Sequence, residues 1–169
     1  MIKILDARWS FPSKYYHKAN LNGSAKGNPG PTGCKGITRN SHGIGIAALS
    51  YPIQNQTNHF AEASVAYHIV KLALKVGINN LWLEGDSLNI INCLKGVVLP
   101  LWTIQNIIEE TCANLGKFKR VHIGHVYREE NPTADWFANK AVRRNMVMTS
   151  NYHNMFSVAV HEILHLEHI

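Results

Sequence analysis

The stretch YYHKANLNGSAKGNPGPTGCKGITRNSHGIGIAALSYPIQNQTNHFAEASVAYHIVKLALKV, residues 15–76, decides the fold because its hydrophobic period changes once along its length. Strand-like runs at 15–22, 34–40 and 44–51 predict an antiparallel meander, and the Gly/Pro-rich segment at 23–33 is typical of a turn. From Asn58 to Val76 apolar residues recur at helical spacing, with Asn58 as the predicted cap.

Shorter apolar segments continue this alternation of strand and helix. The predicted elements are a strand at 81–83, helices at 87–95 and 103–115, a strand at 121–126 and a last helix at 133–143. The order β-β-β-α-β-α-α-β-α predicts an α/β fold with a mixed five-stranded sheet and helices on both faces. We expect an N-terminal extension at 1–14, one domain at 15–144 and a C-terminal tail at 145–169.

Composition is that of a globular intracellular protein. The 169 residues are 46% hydrophobic and 17% charged, which suits one domain with its own core. No apolar run approaches the ~20 residues of a membrane span, and the N-terminus lacks the pattern of a signal peptide. We therefore expect a nuclear or cytoplasmic location, with the three widely spaced cysteines reduced. Neither glycine-rich phosphate-loop pattern occurs, which disfavours hydride transfer and nucleoside triphosphate chemistry.

The net charge of +6 is unevenly distributed. Residues 1–61 hold seven Lys or Arg and one acid, Asp6, whereas the remainder holds ten of each sign. Such a basic segment is either a solvated face or a surface that binds a polyanion. It also leaves the first third of the chain almost without carboxylates for a metal ion.

Three carboxylates are placed where the predicted elements can bring them together. Glu62 falls in about the first turn of the long helix, Asp86 at the end of the fourth strand and Asp135 in the first turn of the last helix. Acids gathered at one sheet edge would repel one another unless cations intervene, which suggests Mg²⁺ or Mn²⁺. Taken singly, Glu62 and Asp135 also suit a helix dipole, and Asp86 suits a helix cap.

Four motifs in the same order resemble those of type 1 ribonuclease H. NGSAKGNPGP at 22–31 resembles the opening D-G-S-x-x-G-N-P-G, and TNHFAE at 57–62 resembles T-N-N-x-x-E. EGDS at 84–87 resembles the D-S step after the fourth strand, and HVYREENPTAD at 125–135 resembles H…N-x-x-x-D. Their residue patterns are most similar to those of the plant retrotransposon-derived branch of this family.

The resemblance implies an enzyme in which four acids hold two Mg²⁺ or Mn²⁺ ions and hydrolyse the RNA strand of an RNA–DNA hybrid. It places Glu62, Asp86 and Asp135 among the metal ligands, and gives His125 a role in proton movement or product release. An ordinary strand-end histidine is the alternative for His125. The implied nucleic-acid contacts are Ser24, Asn28, Thr57, Asn58, His59 and Asn131. Two of these, Asn28 and Asn58, could equally be turn and cap residues.

Asn22 departs from the pattern, because the family has the first catalytic aspartate at this position. An amide offers one neutral oxygen and removes a full negative charge, and no nearby carboxylate can substitute. Hydrolysis should be impaired by at least ~10²-fold, the effect of removing one charge-stabilising group. Asn22 is either natural, in a domesticated or decayed transposon-derived copy, or an engineered inactivating change.

Three functions remain open at the level of sequence. The first is a metal-dependent hybrid endonuclease that is weak unless position 22 is Asp. The second is a nucleic-acid-binding module without catalysis, which ranks first for this particular sequence. The third is a protein-interaction role on a retained fold, through the Met- and His-rich tail.

Overall fold

The computed structural model describes residues 10–25 and 27–128. Five strands and three helices follow one another in this part of the chain. They are β1 (His17–Ala25), β2 (Gly30–Arg39), β3 (Gly45–Gln56), α1 (Asn58–Lys75), β4 (Asn80–Gly85), α2 (Leu88–Leu94), α3 (Gln105–Leu115) and β5 (Arg120–His125).

The strands form one mixed sheet in the order β3-β2-β1-β4-β5. The β1–β2 and β2–β3 pairs are antiparallel, as the meander predicts, whereas β1–β4 and β4–β5 are parallel. The predicted five-stranded mixed sheet is therefore confirmed. Because β1, β4 and β5 run in the same direction, their carboxyl ends meet at one edge, where ligand sites of α/β folds usually lie.

One face of the sheet is covered by the described helices. The connections from β1 to β4 and from β4 to β5 both step in the same direction across the sheet. Right-handed crossovers therefore place α1, α2 and α3 on the same face. Each of these helices contacts the other two, and α1 also packs on β1, β2 and β3. Alternate β1 residues such as Ala19 and Leu21 enter this apolar core. The helix predicted at 133–143 lies outside the described residues.

The predicted turn at 23–33 is too long. β1 continues to Ala25 and β2 already begins at Gly30, so that Gly23 pairs with Cys34 and Ala25 with Thr32. Glycine was interpreted as a turn signal at Gly23, but the ladder needs a residue without a side chain there because α1 packs directly against it. Local sequence could not distinguish these two uses of glycine.

Other boundaries differ by smaller amounts. The cap of α1 is Thr57, whose hydroxyl accepts a hydrogen bond from the Phe60 N–H at 3.2 Å, and not Asn58. β3 runs beyond Tyr51 through Pro52, which is tolerated because β3 is an edge strand in the described sheet. None of the three described helices is long and apolar enough to cross a membrane. The three cysteines are free thiols, as expected.

Candidate active site

The carboxyl ends of β1 and β4 bring two of the predicted site residues side by side. In the parallel ladder Leu21 pairs with Gly85. The next residues, Asn22 and Asp86, are therefore neighbours on adjacent strands. Asn22 is half-buried within β1, and Asp86 is half-buried immediately beyond β4. Parallel pairing thus joins positions that are more than sixty residues apart in the chain.

Gly23 brings α1 to the same place. A Cβ atom on Gly23 would lie 2.5 Å from the Ala61 carbonyl carbon and 2.6 Å from the Glu62 nitrogen, so only glycine allows the helix backbone to approach so closely. The Gly23 N–H donates a hydrogen bond of 3.0 Å to Glu62 Oε1. The residue after Asn22 therefore holds the carboxyl group of Glu62 against β1.

Glu62 and Asp86 form a buried acid pair. Glu62 is only 7% exposed and lies beyond the first turn of α1, which contains no acidic residue. Burial, followed by the negative charge of Asp86, raises the pKa of Glu62 to about 8, while the Gly23 N–H and the charge of Arg128 lower it. A pKa of about 8 means that Glu62 keeps its proton at neutral pH, which relieves the repulsion between the two carboxyl groups. At neutral pH the pair is therefore suited to hold a proton or to give it up to a cation.

Two further side chains approach Asp86 from the end of β5. The His125 Nε2–H donates to the Asp86 carbonyl oxygen at 3.2 Å, since a carbonyl can only accept. The Arg128 Nε lies 4.0 Å from Asp86 Oδ2 and its side chain is 77% exposed. The sequence motif contained Arg128, but no role was predicted for it. Its contact with Asp86 could be found only from the tertiary structure.

Among the described residues, no group of three or more His, Cys, Asp or Glu side chains is arranged to hold a metal ion. The acids that do come together are Glu62 and Asp86, next to the strand position that Asn22 occupies. Oxygen donors of this kind suit Mg²⁺ or Mn²⁺, and a cation would relieve the repulsion that raises the Glu62 pKa. The third predicted acid, Asp135, lies outside the described residues, as does Asn131.

The predicted nucleic-acid contacts lie around the β1–β2 turn and the start of α1. The Asn58 Oδ1 accepts from the Ala25 N–H at 2.7 Å, and the Asn58 N–H donates to Asn28 Oδ1 at 3.2 Å. These bonds fasten the turn to the helix, which gives Asn28 and Asn58 a structural role in the turn and at the first residue of α1, although the cap itself is Thr57. Both remain exposed, as do Thr57 and Ser24, whereas His59 is half-buried. The bonds order a polar surface beside the acid pair.

A buried polar network behind the site was missed at the level of sequence. On the sheet face opposite α1, Lys18 Nζ lies 3.1 Å from Glu84 Oε1, and Asn20 Nδ2 donates to Glu84 Oε2 at 3.2 Å. The Arg39 guanidinium donates to Asn20 Oδ1 at 3.4 Å. Since Asn20 and Glu84 each precede a site residue by two positions, this network ties together the strands that carry Asn22 and Asp86. The alternating polar residues of β1 were the available signal.

Comparison with known proteins agrees with this geometry. A family model described as "Reverse transcriptase-like" matches residues 20–141, which is more than half of the chain. The chain belongs to the reverse transcriptase-like family. The Arabidopsis thaliana protein named "Putative ribonuclease H protein" is 30% identical to this family member over 133 residues. That match covers 79% of this chain but 22% of the relative, so the chain spans only a small part of the relative's length.

Solved structures show that this reverse transcriptase-like chain has the RNase H fold. The RNase H1 of the archaeon Halobacterium salinarum is 26% identical, with a TM-score of 0.67 over 75% of this chain and 97% of that one. The N-terminal RNase H domain of a Mycobacterium tuberculosis protein is 23% identical, with a TM-score of 0.69 over 75% and 92%. LC11-RNase H1 in complex with an RNA/DNA hybrid is 21% identical, with a TM-score of 0.63 over 75% and 98%. The predicted family resemblance and fold class are both confirmed.

Proposed function

We propose that this RNase H-like domain binds RNA–DNA hybrids, and that Asn22 impairs the hydrolysis of the RNA strand that its family carries out. The observation that carries the proposal is the convergence of Glu62 and Asp86 on the position of Asn22. This acid pair lies next to a position that holds a neutral asparagine, and the combination supports binding with impaired hydrolysis.

Binding of a hybrid is supported by the surface beside the acid pair. The bonds among Ala25, Asn28 and Asn58 leave exposed polar side chains on a fixed turn, which suits contacts to a phosphate backbone and to 2′-hydroxyls. A solved protein with the same fold is in complex with an RNA/DNA hybrid. Arg128 adds a positive charge beside Asp86.

Hydrolysis would depend on Mg²⁺ or Mn²⁺ held by Glu62 and Asp86, with Asp135 as the further acid of the motif. Bound divalent ions supply activation of the attacking water and stabilisation of the leaving oxygen in such sites. Asn22 contributes only a neutral amide oxygen to this set. We therefore expect weakened metal binding and a cleavage rate at least ~10²-fold below that of a chain with Asp at position 22.

A second candidate is a binding module in which catalysis has been lost. The raised pKa of Glu62 and the contact of Arg128 with Asp86 favour it. Both reduce the negative charge at the site without any metal ion, so a phosphate backbone could approach the acid pair. In that case restoring the carboxylate would not restore cleavage.

The test is cleavage of an end-labelled RNA–DNA hybrid in Mg²⁺ and in Mn²⁺ by the present chain and by Asn22→Asp. Asn106→Asp makes the same chemical change on the exposed surface of α3 and is the matched control. The proposal expects at least ~10²-fold faster cleavage for Asn22→Asp alone. That gain should disappear when Asp86→Asn is added. If Asn22→Asp binds the hybrid and still does not cleave it, the binding module is the better description.

Binding is measured separately, by hybrid titration in EDTA at several salt concentrations. We expect affinity for the hybrid to exceed that for double-stranded DNA and to fall with salt as phosphate contacts are screened. Equal and weak binding to every nucleic acid would contradict both functions.

A further inference from the structure

A groove lies beside the last described strand, at the side of the sheet away from β1. Its volume is about 540 Å³, and it is bounded by the ends of α2 and α3 and by β5. The lining residues are Leu94, Lys95, Cys112, Leu115, Gly116, Val121, His122 and Ile123. Neither Glu62 nor Asp86 lines the groove.

β5 presents a strand edge next to this groove. In the described part of the chain β5 pairs with β4 alone and is the last strand of the sheet. The first half of β5 is exposed, with Val121 and His122 both bordering the groove and His122 also stacked edge-on against Trp82. A strand edge with exposed flanking side chains can accept another strand.

The directions of the backbone N–H and C=O groups along β5 also favour the addition of another strand at this edge. The Val126 N–H donates to the Gly85 carbonyl, and the Arg120 N–H points to the Asn79 carbonyl. Because every second residue of a parallel strand bonds to the same neighbour, the N–H and C=O groups of Val121 and Ile123 point away from β4. These two residues also line the groove, so the edge of β5 that no other described strand pairs with and the groove belong to the same segment.

Positive charge surrounds the segment. Lys95 lines the groove, while Lys117, Lys119 and Arg120 are exposed in the turn and at the start of β5. No acid among the described residues lines the groove, and Glu109 and Glu110 of α3 come before the lining part of that helix. The charge is therefore complementary to an acidic partner and unfavourable for a second copy of the same strand.

We propose that β5 and this groove bind an extended acidic segment of a partner protein as an added strand. The main chain of the segment pairs with Val121 and Ile123, and every second side chain is apolar and enters the groove. Its acidic side chains are attracted by the positive charge of Lys95 at the groove and of the exposed cations around Arg120. Pairing of two β5 strands with each other would instead bring like charges together, so the occupant is not a second copy.

The test uses the full chain and a fluorescein-labelled octapeptide of alternating glutamate and valine, with an alternating lysine and valine peptide as its counterpart. Fluorescence anisotropy measures the dissociation constant. Val121→Pro removes an N–H that points away from β4, so it should block strand addition while leaving the β4–β5 ladder intact. Lys95→Glu reverses one groove charge, and Lys14→Glu is the matched control on an exposed lysine before β1.

We expect the glutamate peptide to bind at least tenfold more tightly than the lysine peptide. Val121→Pro should weaken that binding at least tenfold and Lys95→Glu at least threefold, with Lys14→Glu within twofold of the original. Thermal melting checks that each variant is folded, and Val121→Ser replaces Val121→Pro if the proline variant is not. Equal binding of both peptides, no effect of the groove variants, or displacement of the peptide by an RNA–DNA hybrid would overturn the proposal. Self-association that Val121→Pro abolishes would also overturn it, in favour of a second copy as the occupant.

Discussion

Replacement of Gly23 by alanine is expected to separate β1 from α1. The added Cβ would lie 2.5 Å from the Ala61 carbonyl carbon, and an ordinary contact begins at 3.4 Å, so the helix and the strand must move apart by about 0.9 Å. The atoms that it meets belong to the backbone and cannot rotate away. The same movement stretches the 3.0 Å bond from the Gly23 N–H to Glu62 Oε1 beyond hydrogen-bonding distance.

Two contributions lower the free energy of unfolding of Gly23→Ala. Overpacking of a well-filled interior costs about 2 kcal/mol, and the lost hydrogen bond adds about 1 kcal/mol. We therefore expect the free energy of unfolding to fall by about 3 kcal/mol, which lowers Tm by about 6 to 12 °C in a domain of this size. Urea unfolding followed by circular dichroism measures the first quantity, and calorimetry measures the second.

Gly33→Ala is the matched control. Gly33 lies in β2 opposite Ser24, and an added Cβ there would meet no atom within 4 Å. This variant should change the free energy of unfolding by no more than about 0.5 kcal/mol. If Gly23→Ala is as stable as Gly33→Ala, the close packing of α1 on β1 does not limit this position and the reasoning fails.

Four further predictions concern charge. Because the pKa of Glu62 is about 8 in the folded state and 4.5 ordinarily, the folded state binds more protons than the unfolded state between these pH values. The free energy of unfolding should therefore fall as pH rises from 4.5 to 8. Urea unfolding at several pH values measures this fall, and Glu62→Gln should remove it. Burial lowers the pKa of His68 to about 4, so neutral His68 contributes to the free energy of unfolding above pH 6.5, and this contribution is lost as pH falls towards 4. If the free energy of unfolding of His68→Gln falls by the same amount between pH 6.5 and 4, the prediction is contradicted. Lys18→Met should cost about 3 kcal/mol by leaving Glu84 buried without its cation, and adding Glu84→Leu should recover most of that loss in denaturant titrations. Asn22→Asp should gain about 5 to 10 °C in Tm at Mn²⁺ near 100-fold above its dissociation constant, whereas the present chain should gain little.

Much of the fold was predicted from the hydrophobic period of the sequence and from its four motifs. The change from strand-like runs to helical spacing near Asn58 predicted the meander and α1, and the four motifs predicted the family. The extent of the turn after Asn22 was wrong because the glycine pattern of a loop and the glycine needed for close packing look the same locally. Thr57, and not Asn58, caps α1 since the cap depends on which hydroxyl meets the Phe60 N–H.

The sequence alone determined the family, the order of the described strands and helices and the neutral asparagine at position 22, because these depend on residue type and spacing. The tertiary structure alone decided that the pKa of Glu62 is raised to about 8, since that depends on the burial of Glu62 in α1 and on the charge of Asp86 beyond β4. It also decided that Arg128 reaches Asp86 and that Lys18 neutralises Glu84 behind the site. Charge interactions across neighbouring strands depend on register, and the register of β1 with β4 is set by packing rather than by either segment alone.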